Sequence, residues 1–166
     1  MPTRYKIRIL LVTLTFIWTY AISQPYTFHN YSLSEGLPQS QAGCALTDSR
    51  GYLWVGTEGG GLCRYNGDRF EVFTVEDKLP SNFIRAIYQQ EDYRVWIGTS
   101  RGLCRYDGHH FYPVAGLPIA ITTITSYQDS IVLIGTASGR YKYSSGYEVS
   151  RVLSTDYIGT VLTTCV

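Results

Sequence analysis

Charge is scarce in this sequence, and so are the marks of an enzyme. Lys, Arg, Asp and Glu together make up 16% of the 166 residues, and long Glu/Lys/Ala/Leu stretches at helical spacing are absent, as is any low-complexity run. There is no Gly-x-Ser-x-Gly nucleophile elbow and no glycine loop of the kind that cradles phosphate. Gly59-Gly60-Gly61 follows one strand-like run and opens another, so it reads as a turn. His109-His110 is the one adjacent pair among three histidines. Neighbours beside a hairpin turn point to opposite sides, which argues against a shared metal. Asp48, Asp68 and Asp107 fall at turn positions, where Asp bonds its own backbone, and nothing singles out two carboxylates as a glycosidase pair. The expectation is therefore no catalytic residue, no metal ligand and no cofactor, with the ligand-binding residues unknown. Long hydrophobic runs are missing too. Residues 9–21 form an uncharged, mostly apolar stretch of thirteen, short of the roughly 20 a membrane-spanning helix needs.

That stretch follows Arg4, Lys6 and Arg8 and precedes Ala21-Ile22-Ser23, with small residues three and one before Gln24. A basic start, a short apolar segment and this ending make a signal peptide over residues 1–23. No cysteine follows the cut, so lipid attachment is not expected. Removing the peptide takes away three cations and leaves eleven Lys and Arg against thirteen Asp and Glu. A surface so close to neutral gives no footing for nucleic acid. Of the four cysteines, Cys44, Cys63, Cys104 and Cys165, an exported chain could make disulfides. The repeats described next favour small buried strand residues instead.

What the chain has in quantity is aromatic side chains (14%, fifteen of them tyrosine) and sixteen glycines, the composition of a turn-rich all-β protein. It also repeats itself. Leu37-Pro38 recurs at Leu79-Pro80 and Leu117-Pro118, steps of 42 and 38 residues. Tyr52-Leu53-Trp54-Val55-Gly56-Thr57 recurs as Arg94-Val95-Trp96-Ile97-Gly98-Thr99 and, with Leu133 in place of Trp, as Val132-Leu133-Ile134-Gly135-Thr136. Gly61-Leu62-Cys63-Arg64-Tyr65-Asn66-Gly67 recurs as Gly102-Leu103-Cys104-Arg105-Tyr106-Asp107-Gly108, and then weakly as Gly139-Arg140-Tyr141-Lys142-Tyr143.

Each unit reads as four short strands. The first carries apolar residues three apart (Ala42 and Ala45, Ile84 and Ile87, Ile121 and Ile124). A tight turn at residues 48–51 or 90–93 leads to the Trp-bearing second strand. The third ends at Asn66-Gly67 or Asp107-Gly108, pairs that accept the positive φ of a two-residue hairpin. The fourth spans residues 70–75 and 111–114. Four antiparallel strands per ~40 residues, repeated, is the pattern of β-propeller blades. Trp54 and Trp96 are expected to fill the space between neighbouring sheets. Gly56 and Gly98 would let backbones approach, while Tyr65, Gly67, Tyr106 and Gly108 complete the structural repeat.

Phe28 lies nine residues before Leu37 as Phe70 lies nine before Leu79, and Tyr31 matches Phe73. Residues 26–32 therefore read as a lone fourth strand whose first three strands belong elsewhere. Blades are expected at about residues 37–75, 79–115 and 117–153, with the start of another at 157–166. Three blades cannot close a ring, which takes about four to eight, so residues 24–166 are expected to be the front of a longer propeller whose missing blades are its nearest partners.

The blocks Gly-Tyr-Leu-Trp-Val-Gly-Thr (51–57), Gly-Leu-Cys-Arg-Tyr-Asn-Gly (61–67) and Phe70, with their second copy through Phe111, resemble the two-component regulator propeller repeat. The opening Tyr31-Ser32-Leu33-Ser34-Glu35-Gly36-Leu37-Pro38 is similar to the usual start of that family, and the resemblance runs from residue 26 to about 147. It implies propellers of about seven blades on the outer, periplasmic side of the inner membrane, followed by a sandwich domain, a transmembrane helix and a cytoplasmic output, often a histidine kinase. It further implies a periplasmic ligand, in several such sensors a glycan fragment, and pairing of full-length sensors as dimers. Two alternatives stand beside it: an exported propeller enzyme, a lyase or glycosidase with its active site in other blades, and a protein-interaction scaffold.

Overall fold

The computed structural model describes residues 31–117, 119–127, 131–144 and 149–152, all within one compact unit. The expected signal peptide, residues 26–30 of the expected lone strand, Cys165 and residues 157–166 lie outside the described residues.

Three four-stranded antiparallel sheets follow one another along the chain, as the repeat predicts. The first holds β1 (Ala42–Thr47), β2 (Leu53–Thr57), β3 (Leu62–Tyr65) and β4 (Phe70–Phe73) in sequence order. The second holds β5 (Ile84–Gln89), β6 (Val95–Thr99), β7 (Gly102–Tyr106) and β8 (Phe111–Pro113). The third holds β9 (Ile121–Tyr127), β10 (Ile131–Thr136), β11 (Gly139–Tyr143) and β12 (Val149–Val152). The fourth strands stop short of the expected residues 75 and 114. After Phe73, Thr74 caps a short 3-10 turn, Val75–Asp77, accepting a hydrogen bond from the Glu76 N–H, and this takes the chain out of the sheet.

Apolar residues three apart in a first strand make sense only with a register shift. In β1 it falls between Ala42 and Cys44, in β5 between Ile84 and Ala86. The extra residue of a bulge puts positions i and i+3 on one face. So Ile84 and Ile87 both turn to the first sheet, and Ile121 and Ile124 both turn to the second.

The core lies between sheets. One layer joins Cys44, Trp54, Leu62 and Phe73 to Ile84, Val95, Ile97, Tyr106 and Phe111 of the second sheet. The next joins Trp96, Leu103 and Ala86 to Ile121, Ile124, Val132, Ile134 and Tyr143 of the third. A middle sheet is thus covered on both faces, which is why every residue of β6 is buried.

The hairpin turns sit one residue later than expected. Asn66 pairs with Arg69 through its N–H, leaving Gly67 and Asp68 at the tip, and Gly67 takes the positive φ of 98°. Asn66 serves through its side chain, which accepts from the N–H groups of Asp68 and Arg69 at 2.9 and 3.0 Å. Asp107 does the same for His109 and His110 at 2.9 and 2.8 Å. Asn and Asp favour such turns because a short side chain can stand in for a backbone acceptor.

Candidate functional site

The antiparallel order sorts the loops onto two ends. The turns at 48–52, 66–69, 90–94 and 107–110 share one end. Residues 58–61, 74–83 and 100–101 share the other.

Trp54 and Trp96 are each 1% exposed and lie between sheets. Trp54 meets Phe73 and Tyr106 at ring-centroid distances of 6.1 and 5.4 Å, and Trp96 meets Tyr143 at 4.9 Å. Each indole N–H donates to a side chain six residues earlier, Asp48 Oδ2 at 2.9 Å and Gln90 Oε1 at 3.0 Å. Asp48 also accepts the N–H groups of Arg50 and Tyr52, so one buried residue both shapes the turn and satisfies the tryptophan. Sequence reasoning placed Asp48 at a turn and missed this second role. The signal was available: an oxygen-bearing side chain stands six residues before both Trp54 and Trp96.

Gly56 and Gly98 accept a side chain, where backbone approach was expected. A Cβ on Gly56 would lie 2.6 Å from Ile84 Cγ2, and one on Gly98 would lie 2.7 Å from Ile121 Cγ2. Tyr65 and Tyr106 donate their hydroxyls to Gly67 O and Gly108 O at 2.9 and 2.8 Å, tying the third strand to its hairpin.

Arg64 is held between the first two sheets. It bonds Glu71 at 2.6 Å and the Tyr106 hydroxyl at 3.0 Å, with the Tyr52 ring centroid 4.9 Å away. Burial works against its charge, but the bonds to Glu71 and Tyr106 outweigh it and hold its pKa above the ordinary value. A recess of about 470 Å³ opens beside this pair, with Tyr52, Asn66 and Arg69 on its walls. Its lining residues all belong to the first sheet and its turns, and its half-buried Arg64 is already paired with Glu71 and Tyr106.

Cys63 and Cys104 are both fully buried, and both are free thiols. Burial pushes Cys63 up to about 11 and Cys104 up to about 12, so neither is a ready nucleophile. The ring centroids of His109 and His110 are 6.5 Å apart at the hairpin end. No group of three or more His, Cys, Asp or Glu among the described residues could hold a metal.

The opposite end carries the arrangement best suited to a ligand. A recess of about 360 Å³ is lined by Gly59, Val75, Ser81, Asn82, Phe83 and Arg101, among others. Phe83 is 50% exposed although its backbone is fixed: its carbonyl accepts from Ser100 N–H, and its own N–H donates to Ser81 Oγ. Asn82 is fixed likewise, its carbonyl accepting from Gly59 and Gly61 and its Oδ1 from Val75 N–H. Arg101 is exposed beside them. An open aromatic ring on a rigid loop offers apolar stacking area, and a guanidinium offers up to five donors. Sequence reasoning did not select these residues, because they vary from unit to unit where the repeat signal rests on sameness.

Comparison with solved structures gives two extracellular domains of Bacteroides thetaiotaomicron. One, of what is described as a hybrid two-component system, is 24% identical with a TM-score of 0.65, covering 74% of this chain and 18% of the other. The second, described as from a one-component system, is 23% identical with a TM-score of 0.59, covering 78% and 18%. A catalytically inactive virginiamycin B lyase from Staphylococcus aureus with quinupristin is 14% identical with a TM-score of 0.54, covering 72% and 44%. These likenesses are of fold, and the chain spans 18% of the length of the two extracellular domains. No curated protein matches the chain. Residues 36–59 and 78–101 each match the family described as two component regulator propeller, one stretch running into each Trp-bearing strand.

Proposed function

We propose that this chain is part of the ligand-sensing propeller of a two-component-type signalling protein, exported to the periplasmic side of the inner membrane, and that it binds a saccharide at the loop end around Phe83. The match of residues 36–59 and 78–101 to the two component regulator propeller supports the sensor role, and the extracellular origin of the two Bacteroides domains supports the location. The observation that carries the site is the half-exposed Phe83 ring on a hydrogen-bonded loop beside Arg101. A ring face stacks on the C–H face of a sugar while Arg101 and the Ser81–Asn82 segment reach its hydroxyls. Residues 1–23 direct export and are removed after Ser23, and the output lies in a longer protein that works as a dimer.

Binding of a panel of neutral and acidic oligosaccharides by the chain is the test. The reading expects at least one binder whose affinity drops about tenfold or more in Phe83→Ala, given about 1–3 kcal/mol for a stacked aromatic, with the melting temperature unchanged. Retained affinity in both Phe83→Ala and Arg101→Ala, or no binder in the panel, would remove this site. The enzyme reading has the lyase likeness in its favour, but that is one of fold, and the two described histidines lie at the other end.

A further inference from the structure

The turns that join first to second strands in the first two sheets match bond for bond. In the first sheet Asp48 N–H donates to Tyr52 O at 2.9 Å and Gly51 N–H to Asp48 O at 3.0 Å. In the second, Gln90 N–H donates to Arg94 O at 2.9 Å and Tyr93 N–H to Gln90 O at 3.0 Å. Both turns close on a left-handed residue, Gly51 with a φ of 86° and Tyr93 with one of 66°. A Cβ on Gly51 would meet nothing within 4 Å, so the backbone conformation alone is what favours glycine there. The second turn carries a bulky side chain against that preference. Its ring is 58% exposed, so it adds little to the packing of the sheets. Strain of this kind gathers where a side chain is needed for contact.

The first sheet supplies this ring with a cation. Ser49 N–H donates to Gln89 Oε1 at 2.8 Å and Gln89 Nε2 donates to Ser49 Oγ at 3.0 Å, which ties one turn to the strand leading into the other. Arg50, next in the chain, reaches across to the second sheet. Its guanidinium lies 5.9 Å from the Tyr93 ring centroid, and its Nη1 lies 3.5 Å from where a Cβ on Gly108 would stand. Arg50 makes no salt bridge among the described residues. The aspartates of these turns are engaged. Asp48 accepts from the N–H groups of Arg50 and Tyr52 and from the Trp54 indole, Asp92 pairs with Arg94 at 3.2 Å, and Asp107 accepts two backbone N–H groups. Glu91 is the exposed exception.

We propose that Tyr93 and Arg50 form a contact surface for a protein partner that presents a carboxylate-rich segment to them. Turn tips stand out from the ends of the sheets and have no walls, whereas small ligands are held in concave sites. A protein surface can cover such a tip. Tyr and Arg are the side chains that dominate contacts of this sort, and a Tyr fixed in advance loses little entropy on binding. The guanidinium without a carboxylate sets the sign of the partner. This surface is separate from the recess around Phe83, which lies at the opposite end.

The first measurement needs no partner. Tyr93→Gly should raise the melting temperature by about 3 °C, because it relieves a left-handed side chain. A lower melting temperature would make the ring a structural prop and overturn the proposal. The second measurement is an NMR titration with a peptide of alternating Glu and Tyr. The peptide should shift the amides of residues 49–51 and 91–94, and replacing its Glu by Gln should weaken binding about tenfold or more. Arg50→Gln and Tyr93→Gly should each weaken it by a similar factor. Glu91→Gln should strengthen it, and added salt should weaken it. No binding, or binding indifferent to Arg50, to Tyr93 or to the peptide's charge, overturns the proposal. So does trigalacturonate shifting the same amides where the peptide does not, which would assign the tip to an acidic saccharide.

Discussion

The two interfaces between sheets solve one packing problem with different side chains. Between the first and second sheets the layer is aromatic: Trp54, Phe73, Tyr106 and Phe111 touch in a continuous set, with the Arg64 guanidinium among them. Between the second and third, Trp96 meets one ring among the described residues, Tyr143. The other buried residues around it are aliphatic, with Ile121, Ile124, Val132 and Ile134, while Tyr88 and Tyr141 pack at the margin. Two devices are common to both. An indole N–H is satisfied from the turn six residues earlier, and a glycine receives an isoleucine from the next sheet. Bulk can therefore be exchanged between rings and branched chains, while the satisfied indole and the isoleucine socket set how the sheets dock.

The largest effects should come from the tryptophans. Trp54→Ala and Trp96→Ala should each cost about 3–5 kcal/mol in urea-induced unfolding. If Trp96→Ala is the milder by more than about 1 kcal/mol, the aliphatic layer collapses into the cavity more readily than the ringed one.

Next come the sockets. Gly56→Ala and Gly98→Ala should each cost about 1–3 kcal/mol through overpacking. Combined with Ile84→Ala, which removes Ile84 Cγ2, one of the two atoms 2.6 Å from the new Cβ (the other is Cys44 Sγ), Gly56→Ala should cost less than the sum of the single changes. Strict additivity in that double-mutant cycle would mean that the isoleucine is not what fills the glycine.

A finer comparison uses Trp54→Phe and Trp96→Phe, which keep most of the ring. The first strips a partner from the buried Asp48 carboxylate, the second from the neutral Gln90 amide. Hydrogen bonds to charged groups are worth about 1.5–3 kcal/mol against about 0.5–1.5 for neutral ones. Trp54→Phe should thus be the more destabilising by about 1 kcal/mol, and the reverse order would show that ring packing outweighs the polar anchor.

The smallest effect is at the second sheet's hairpin. Backbone N–H groups of His110 and then His109 hold the Asp107 carboxyl at about 2, below its ordinary 3.8. A carboxylate with a lowered folded pKa stabilises fully above the unfolded value, and the contribution disappears as pH falls through the folded one. Carbon-detected NMR titration should place the Asp107 midpoint near 2, and the melting temperature should slip between pH 4 and 2 by less in Asp107→Ala than in the parent chain. The hairpin at Asn66, whose cap does not titrate, is the internal control.

The repeat made the fold legible at once, because short strands bounded by Gly, Asn and Asp announce themselves locally. Residue spacing even contained the bulges: Ile84 and Ile87 are three apart because an extra residue intervenes. The turn position was less legible. Asn66-Gly67 could sit at the tip or just before it, and side-chain bonding to two N–H groups decides between them. The candidate site was hidden, since Phe83 and Arg101 belong to no shared motif and lie in loops of different lengths.

Sequence alone determined that this chain is a row of four-stranded sheets, and which residues turn inward, since period-two patterning and turn chemistry act over a few neighbours. Tertiary structure decided the rest. That Gly56 is a socket for Ile84, that Arg64 of one sheet bonds Tyr106 of the next, and that Phe83 stands open beside Arg101 all depend on one sheet laid against another. Such contacts join residues roughly 20 to 40 apart in the chain, where strand propensity carries no information and only the packed layers choose the partners.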